Sequence, residues 1–130
     1  MQATGTELRG WRKVLSPIRA FLELWLPADQ AFNGGLDCLA RQDYTTALRL
    51  FQVAERKFRR KNPAASDEVL AAQAGQAYSH LELARYAAAG TLATSVLEHM
   101  GTRTSVMGFE REAIESYRDV ARHAISNEPG

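Results

Sequence analysis

The sequence predicts an all-α protein, on three observations. Apolar residues recur at spacings of three and four along most of the chain, the period of an amphipathic helix. No segment alternates with period two, so no sheet is expected. Alanine, the strongest helix former, is dense between 70 and 94 (Ala71, Ala72, Ala74, Ala77, Ala84, Ala87, Ala88, Ala89 and Ala93). Small residues at that density also let helices approach closely.

The elements follow in order. Leu8, Trp11, Leu15, Ile18, Leu22 and Trp25 form one helical stripe. Pro17 falls inside it and removes a backbone donor, so residues 1–26 read as a kinked helix or as a loose turn followed by a helix from about 17 to 25. Pro27 opens a second helix over 28–41. Asp43 is placed to cap a third over 44–60, which Asn62-Pro63 stops. Ser66 caps a fourth running to about 85, with Asp67 and Glu68 against its dipole. A turn near Arg85-Tyr86 leads to a fifth helix ending at Gly101. A sixth is expected from about 104 to 125, and residues 127–130 form a tail.

The composition is that of an ordinary globular protein, with 45% apolar and 24% charged residues. Its 130 residues suit one domain, 27–126, preceded by an amphipathic helical segment, 1–26. The net charge of +1 argues against a general nucleic-acid binder. That charge is polarised: residues 1–61 hold 11 Lys+Arg against 6 Asp+Glu, and residues 62–130 hold 5 against 9. Such asymmetry suits oriented docking. The single cysteine, Cys38, excludes an internal disulfide framework and fits a buried small residue in a reducing, cytoplasmic setting. The N-terminus has no signal-peptide pattern, and no apolar run reaches the length of a membrane span.

Gly35 is followed by Tyr44, Ala47, Phe51 and Ala54. This pattern resembles the tetratricopeptide repeat, which sets a small residue where two helices touch, an aromatic at the turn, and alanine, aromatic and alanine on the second helix. Ala31 and Cys38 depart from the family's tryptophan and tyrosine slots. Gly75 and Tyr78 begin a second unit, in which Tyr86 and Ala89 fall two residues late, so a lengthened hairpin turn is expected. Gly108-Phe109, Ala113, Tyr117 and Val120 echo half of a third. The resemblance implies a tetratricopeptide-like helical-hairpin array, a short α-solenoid of about six helices. It also implies a concave groove lined by Asp29, Phe32, Asn33, Leu36 and Leu39 from one hairpin and by Val69, Ala72, Gln73, Gln76, Ser79 and His80 from the next. No Lys or Arg falls among these positions, so the groove suits an amphipathic helix or peptide rather than a C-terminal carboxylate. Against this, Phe32, Leu36 and Leu39 would be covered if they packed on residues 8–26.

Two further surfaces stand out. Trp11, Leu15, Ile18, Phe21, Leu22 and Trp25 form an N-terminal apolar surface flanked by Arg9, Arg12, Lys13 and Arg19. It reads as a cap on the repeats, a protein or dimer contact, or a membrane-surface helix, in falling order of preference. Arg56, Lys57, Arg59, Arg60 and Lys61 form a basic patch at a helix C-terminus, where cations complement the dipole; an acidic partner is the next reading and nucleic acid the least favoured.

Catalytic chemistry has little footing. No phosphate loop, nucleophile elbow or two-histidine metal motif is present. Glu115, Asp119 and His123 share a helix face, but interleaved Arg111, Arg118 and Arg122 explain them as ion pairs, so no metal or cofactor is expected. The expected function is therefore a non-enzymatic protein-interaction adaptor or small assembly subunit, in which homo-oligomerisation is also open. The alternatives are a membrane-surface protein anchored by residues 8–26 and, less favoured, a small ligand-binding or catalytic bundle using His80 or His123.

Overall fold

A computed structural model describes residues 25–127 of the chain. They form helices α1 (Ala28–Ala40), α2 (Tyr44–Lys61), α3 (Asp67–Glu82), α4 (Tyr86–Met100) and α5 (Arg111–Ser126). A short ladder, β1 (Ser105–Val106) and β2 (Phe109–Glu110), lies before α5. The helix expected within residues 1–26 lies outside the described residues, apart from Trp25 and Leu26.

The expected caps are in place. The Asp43 side chain accepts from the Thr46 amide at 3.3 Å, and Ser66 Oγ accepts from Val69 at 3.3 Å. Asn62 closes α2, its Nδ2 donating to the Phe58 carbonyl at 3.2 Å.

Two expectations about turns are corrected. The second hairpin turn is not lengthened. Residues 41–43 and 83–85 make the same three-residue reversal, with Gln42 at φ 62 and Ala84 at φ 60. Their backbone bonds also match: Asp43 N–H donates to Cys38 O and Arg85 N–H to His80 O, both at 2.8 Å. The two hairpins are therefore offset by the distance from Gln42 to Ala84, which puts Ala77 rather than Gly75 in the slot equivalent to Gly35. The second correction is the sheet. Residues 104–110 do not begin a helix. Met107 (φ 46) and Gly108 (φ 89) are the two left-handed residues of a tight β-turn, pairing Val106 with Phe109 and Ser105 with Glu110. Val106 and Phe109 are buried, so the ladder points one pair of side chains into the core.

Each helix packs on its neighbour in sequence, and α3 also meets α1, α5 and both strands. Its central position explains its composition. From Val69 to Ala77 every residue is buried, which small and apolar residues on all faces allow, with Gln73 and Gln76 as the polar exceptions. Phe51 of α2 fills the centre. Its ring lies edge-on to Phe32 at 5.6 Å and to Phe109 at 6.3 Å. A Cβ at Gly35 of α1 or at Gly75 of α3 would come within 2.7 Å of that ring. The two glycines thus form the walls against which Phe51 sits.

Arg103 ties the α4–β1 loop to the start of α3. Its guanidinium donates to the carbonyls of Ala65, His99 and Met100 and pairs with Asp67. Arg111 in turn donates to Arg103 O at 2.9 Å.

The matched turns yield a prediction. Ala84 holds a left-handed conformation that costs an L-residue about 1 kcal/mol and glycine almost nothing. Ala84→Gly is expected to raise unfolding free energy by roughly 0.5–1 kcal/mol in a urea titration. A loss of stability would contradict the turn geometry.

Candidate functional site: the slot between α1 and α5

The second half of α1 presents Leu36 and Leu39 at the spacing that shares a helix face. Across from them stand Met107, Phe109 and Glu110 of the β-hairpin and Ala113 and Tyr117 of α5. These residues enclose an open cavity of about 410 Å3. Leu36 is 37% exposed and Met107 43%, so apolar surface faces solvent on both walls. The turn at Met107-Gly108 positions one wall. It pushes Met107 out at the tip while turning Phe109 inward onto Phe32 and Phe51.

A row of tyrosines crosses the array beside this slot. Tyr44 and Tyr78 lie 6.0 Å apart at 78°, and Tyr78 and Tyr117 lie 5.1 Å apart. Burial pushes the phenols of Tyr78 and Tyr117 above their ordinary range, and the Glu82 carboxylate adds to the shift at Tyr78.

Only part of the expected groove reaches this surface. Leu36 and Leu39 line the slot, while Asp29 and Asn33 are exposed on α1. Phe32 is buried among Phe51, Phe58 and Phe109. Val69, Ala72, Gln73, Gln76 and Ser79 are interior and offer no surface to a partner. The reason lies in α3, which is enclosed by α1, α2, α4 and α5 rather than bordering an open groove. Ser79 Oγ donates to the Gly75 carbonyl at 2.8 Å. Gln73 and Gln76 turn toward α2 and donate to the Glu55 carboxylate at 3.0 and 2.7 Å. Arg59 also pairs with Glu55, at 2.8 Å. Burial would raise the Glu55 pKa, but the hydrogen bonds from Gln76, Arg59 and Gln73 outweigh it and hold the carboxyl below its ordinary value.

His80 is half-buried, and its Nδ1 is enclosed without a hydrogen-bond partner. Burial, with the nearby Arg85 charge, lowers its pKa and favours the neutral ring.

The basic patch is divided. Arg59 is held by Glu55, and Lys57 Nζ donates to the Leu26 carbonyl at 2.6 Å. Arg56, Arg60 and Lys61 are exposed. Of the N-terminal apolar surface, Trp25 is described and is 70% exposed. Trp11, Leu15, Ile18, Phe21 and Leu22 lie outside the described residues.

On α5, Asp119 pairs with its neighbour Arg118 at 2.9 Å, and His123 Nε2 meets Asn127 Nδ2 at 2.9 Å. Among the described residues no three His, Cys, Asp or Glu side chains converge as a metal site. Cys38 is buried, with Arg41 Nη2 3.9 Å from its sulfur.

The hairpin wall, with Met107 and Glu110, was absent from the sequence-level site. Its signal was Gly108 between Val106 and Phe109, a glycine at a reversal flanked by inward-facing apolar residues. Comparison of the chain with protein-family models, curated proteins and solved structures finds no match.

The lowered His80 pKa gives a pH prediction. The unfolded chain takes up a proton near pH 6.5, whereas the folded chain resists it until lower pH. His80 therefore removes stability as pH falls from about 6.5 through the folded value. His80→Gln is expected to flatten the dependence of unfolding free energy on pH between about 7 and 5. An unchanged slope would contradict the burial of the ring.

Proposed function

We propose that the chain is a non-enzymatic, cytoplasmic adaptor built as a short tetratricopeptide-like array, which binds a helical segment of another protein. The observation that carries this reading is the slot, where Leu36 and Met107 stay exposed on facing walls of an apolar cavity. Exposed large apolar side chains that converge on one concavity mark interaction sites more reliably than scattered ones. An amphipathic helix laid into the slot would set apolar side chains at i, i+3 and i+4 between Leu36, Leu39, Met107 and Tyr117. Glu110 on the rim and Glu82 beside Tyr78 favour a partner with basic flanks. The equal hairpin turns support the repeat reading. Exposed Trp25 supports a second contact from the N-terminal apolar surface. No described helix is long and apolar enough to cross a membrane.

The test is co-purification from native extract with wild type and with the Leu36→Glu/Met107→Glu pair. Both positions are exposed, so each change is expected to alter stability by about 0.5 kcal/mol or less and to leave the circular dichroism helical. Placing charge on both walls should weaken partner binding roughly tenfold or more, the loss of about 1.4 kcal/mol or more of apolar contact. Partners retained undiminished by the double variant would remove the slot from consideration.

A further inference from the structure

A second concavity lies where α1 begins and α2 ends. Its volume is about 480 Å3. Pro27, Ala28 and Phe58 give it an apolar floor. Lys57, Arg60 and Lys61 of α2 line it together with Asp29 of α1 and Glu68 of α3. The cations are not equivalent. Lys57 is engaged with the Leu26 carbonyl, whereas Arg60 and Lys61 make no ion pair among the described residues. α2 brings them to the rim because they close its last turn, which Asn62 and Pro63 end at once.

We propose that this cleft binds an acidic segment of a protein partner. One apolar side chain of that segment would enter against Pro27 and Ala28, with its carboxylates on Arg60 and Lys61. Charge complementarity selects the occupant. Arg60 and Lys61 supply planar and point-charge donors for carboxylates, and they are not consumed by acidic neighbours. Asp29 and Glu68 in the same lining argue against a polyanion. A nucleic-acid backbone or an anionic bilayer presents uninterrupted negative charge and would meet both carboxylates. A peptide can alternate, offering carboxylates to Arg60 and Lys61 and an amide or a basic side chain to Asp29 and Glu68. Phe58 is 8% exposed and so provides no face on which a base could stack. The cations also occupy little more than one helical turn, too short a track for a nucleic-acid strand. The cleft is lined by none of the slot residues, so this inference does not rest on the slot.

The proposal is tested by display selection of a random peptide library at low salt against the full chain. The Arg60→Glu/Lys61→Glu variant is selected in parallel. Both residues are exposed, and matched thermal melts check that the variant folds. The expected result is enrichment of peptides with leucine or an aromatic residue among Asp and Glu. Such a peptide, synthesised and labelled, should lose roughly tenfold or more in affinity for the double variant, as two reversed rim charges imply. Its affinity for Leu36→Glu should be that for wild type. Peptides without acidic bias, no enrichment, or equal binding to the double variant would overturn the proposal. So would tighter binding of a single-stranded oligonucleotide or of phosphatidylserine vesicles that the same charge reversal abolishes.

Discussion

The ring of Phe51 sits between two helices at points where neither has a side chain. Gly35 and Gly75 leave no room for a Cβ beside it, so the ring fills the space from both sides. Interiors are packed to crystal-like density, and a single methyl group at either wall has nowhere to go. This contact sets how closely α1, α2 and α3 approach. Phe32 and Phe109 then lie against Phe51, so the β-hairpin and the start of α5 are located by the same ring. The slot between α1 and α5 owes its width to that arrangement, because one of its walls is the hairpin that Phe109 anchors.

A second layer of order is polar. Glu55 joins α2 to α3 through Gln73 and Gln76, and Arg103 joins the α4–β1 loop to Ala65 and Asp67. Gln73 and Gln76 are buried, and such groups are costly unless paired; paired, they fix one register of α2 against α3. His80 is the exception. Its enclosed Nδ1 is unpaired, which makes the end of α3 one place where acidification acts on the described fold, at higher pH than the Glu55 carboxylate.

Much of the helix order was legible in the sequence, because its signals are local. Asp43, Ser66, Asn62 and Pro63 mark chain reversals by chemistry that depends on a few adjacent residues. Phe51 was legible as an aromatic in a packing slot, and Gly35 as a small residue where two helices touch. The partners of that ring were less so. Gly75 was aligned with Gly35 as a repeat equivalent, yet the matched turns give that slot to Ala77, and Gly75 is the opposite wall of the contact with Phe51. The hairpin at 105–110 was hidden for a different reason. Two-residue strands carry too few positions to show a period, and the decisive feature is the positive φ at Met107 and Gly108. The site suffered most. The repeat resemblance places Gln73, Gln76 and Ser79 in a groove, whereas long-range packing turns them inward. Leu36 and Leu39 stayed accessible because the second half of α1 faces the slot rather than the centre of the array.

The central claim is that Phe51 and its two glycine walls act as one unit, and a double-mutant cycle between Phe51 and Gly75 tests it most directly. Gly75→Ala gains about 1 kcal/mol of helix propensity but must displace the ring, so the account expects a net loss of roughly 1–3 kcal/mol in urea unfolding. In a Phe51→Leu background the clash is relieved, and the same glycine change should become neutral or stabilising, giving a coupling energy of about 1 kcal/mol or more. Strictly additive effects, or a Gly75→Ala protein more stable than wild type, would contradict the account.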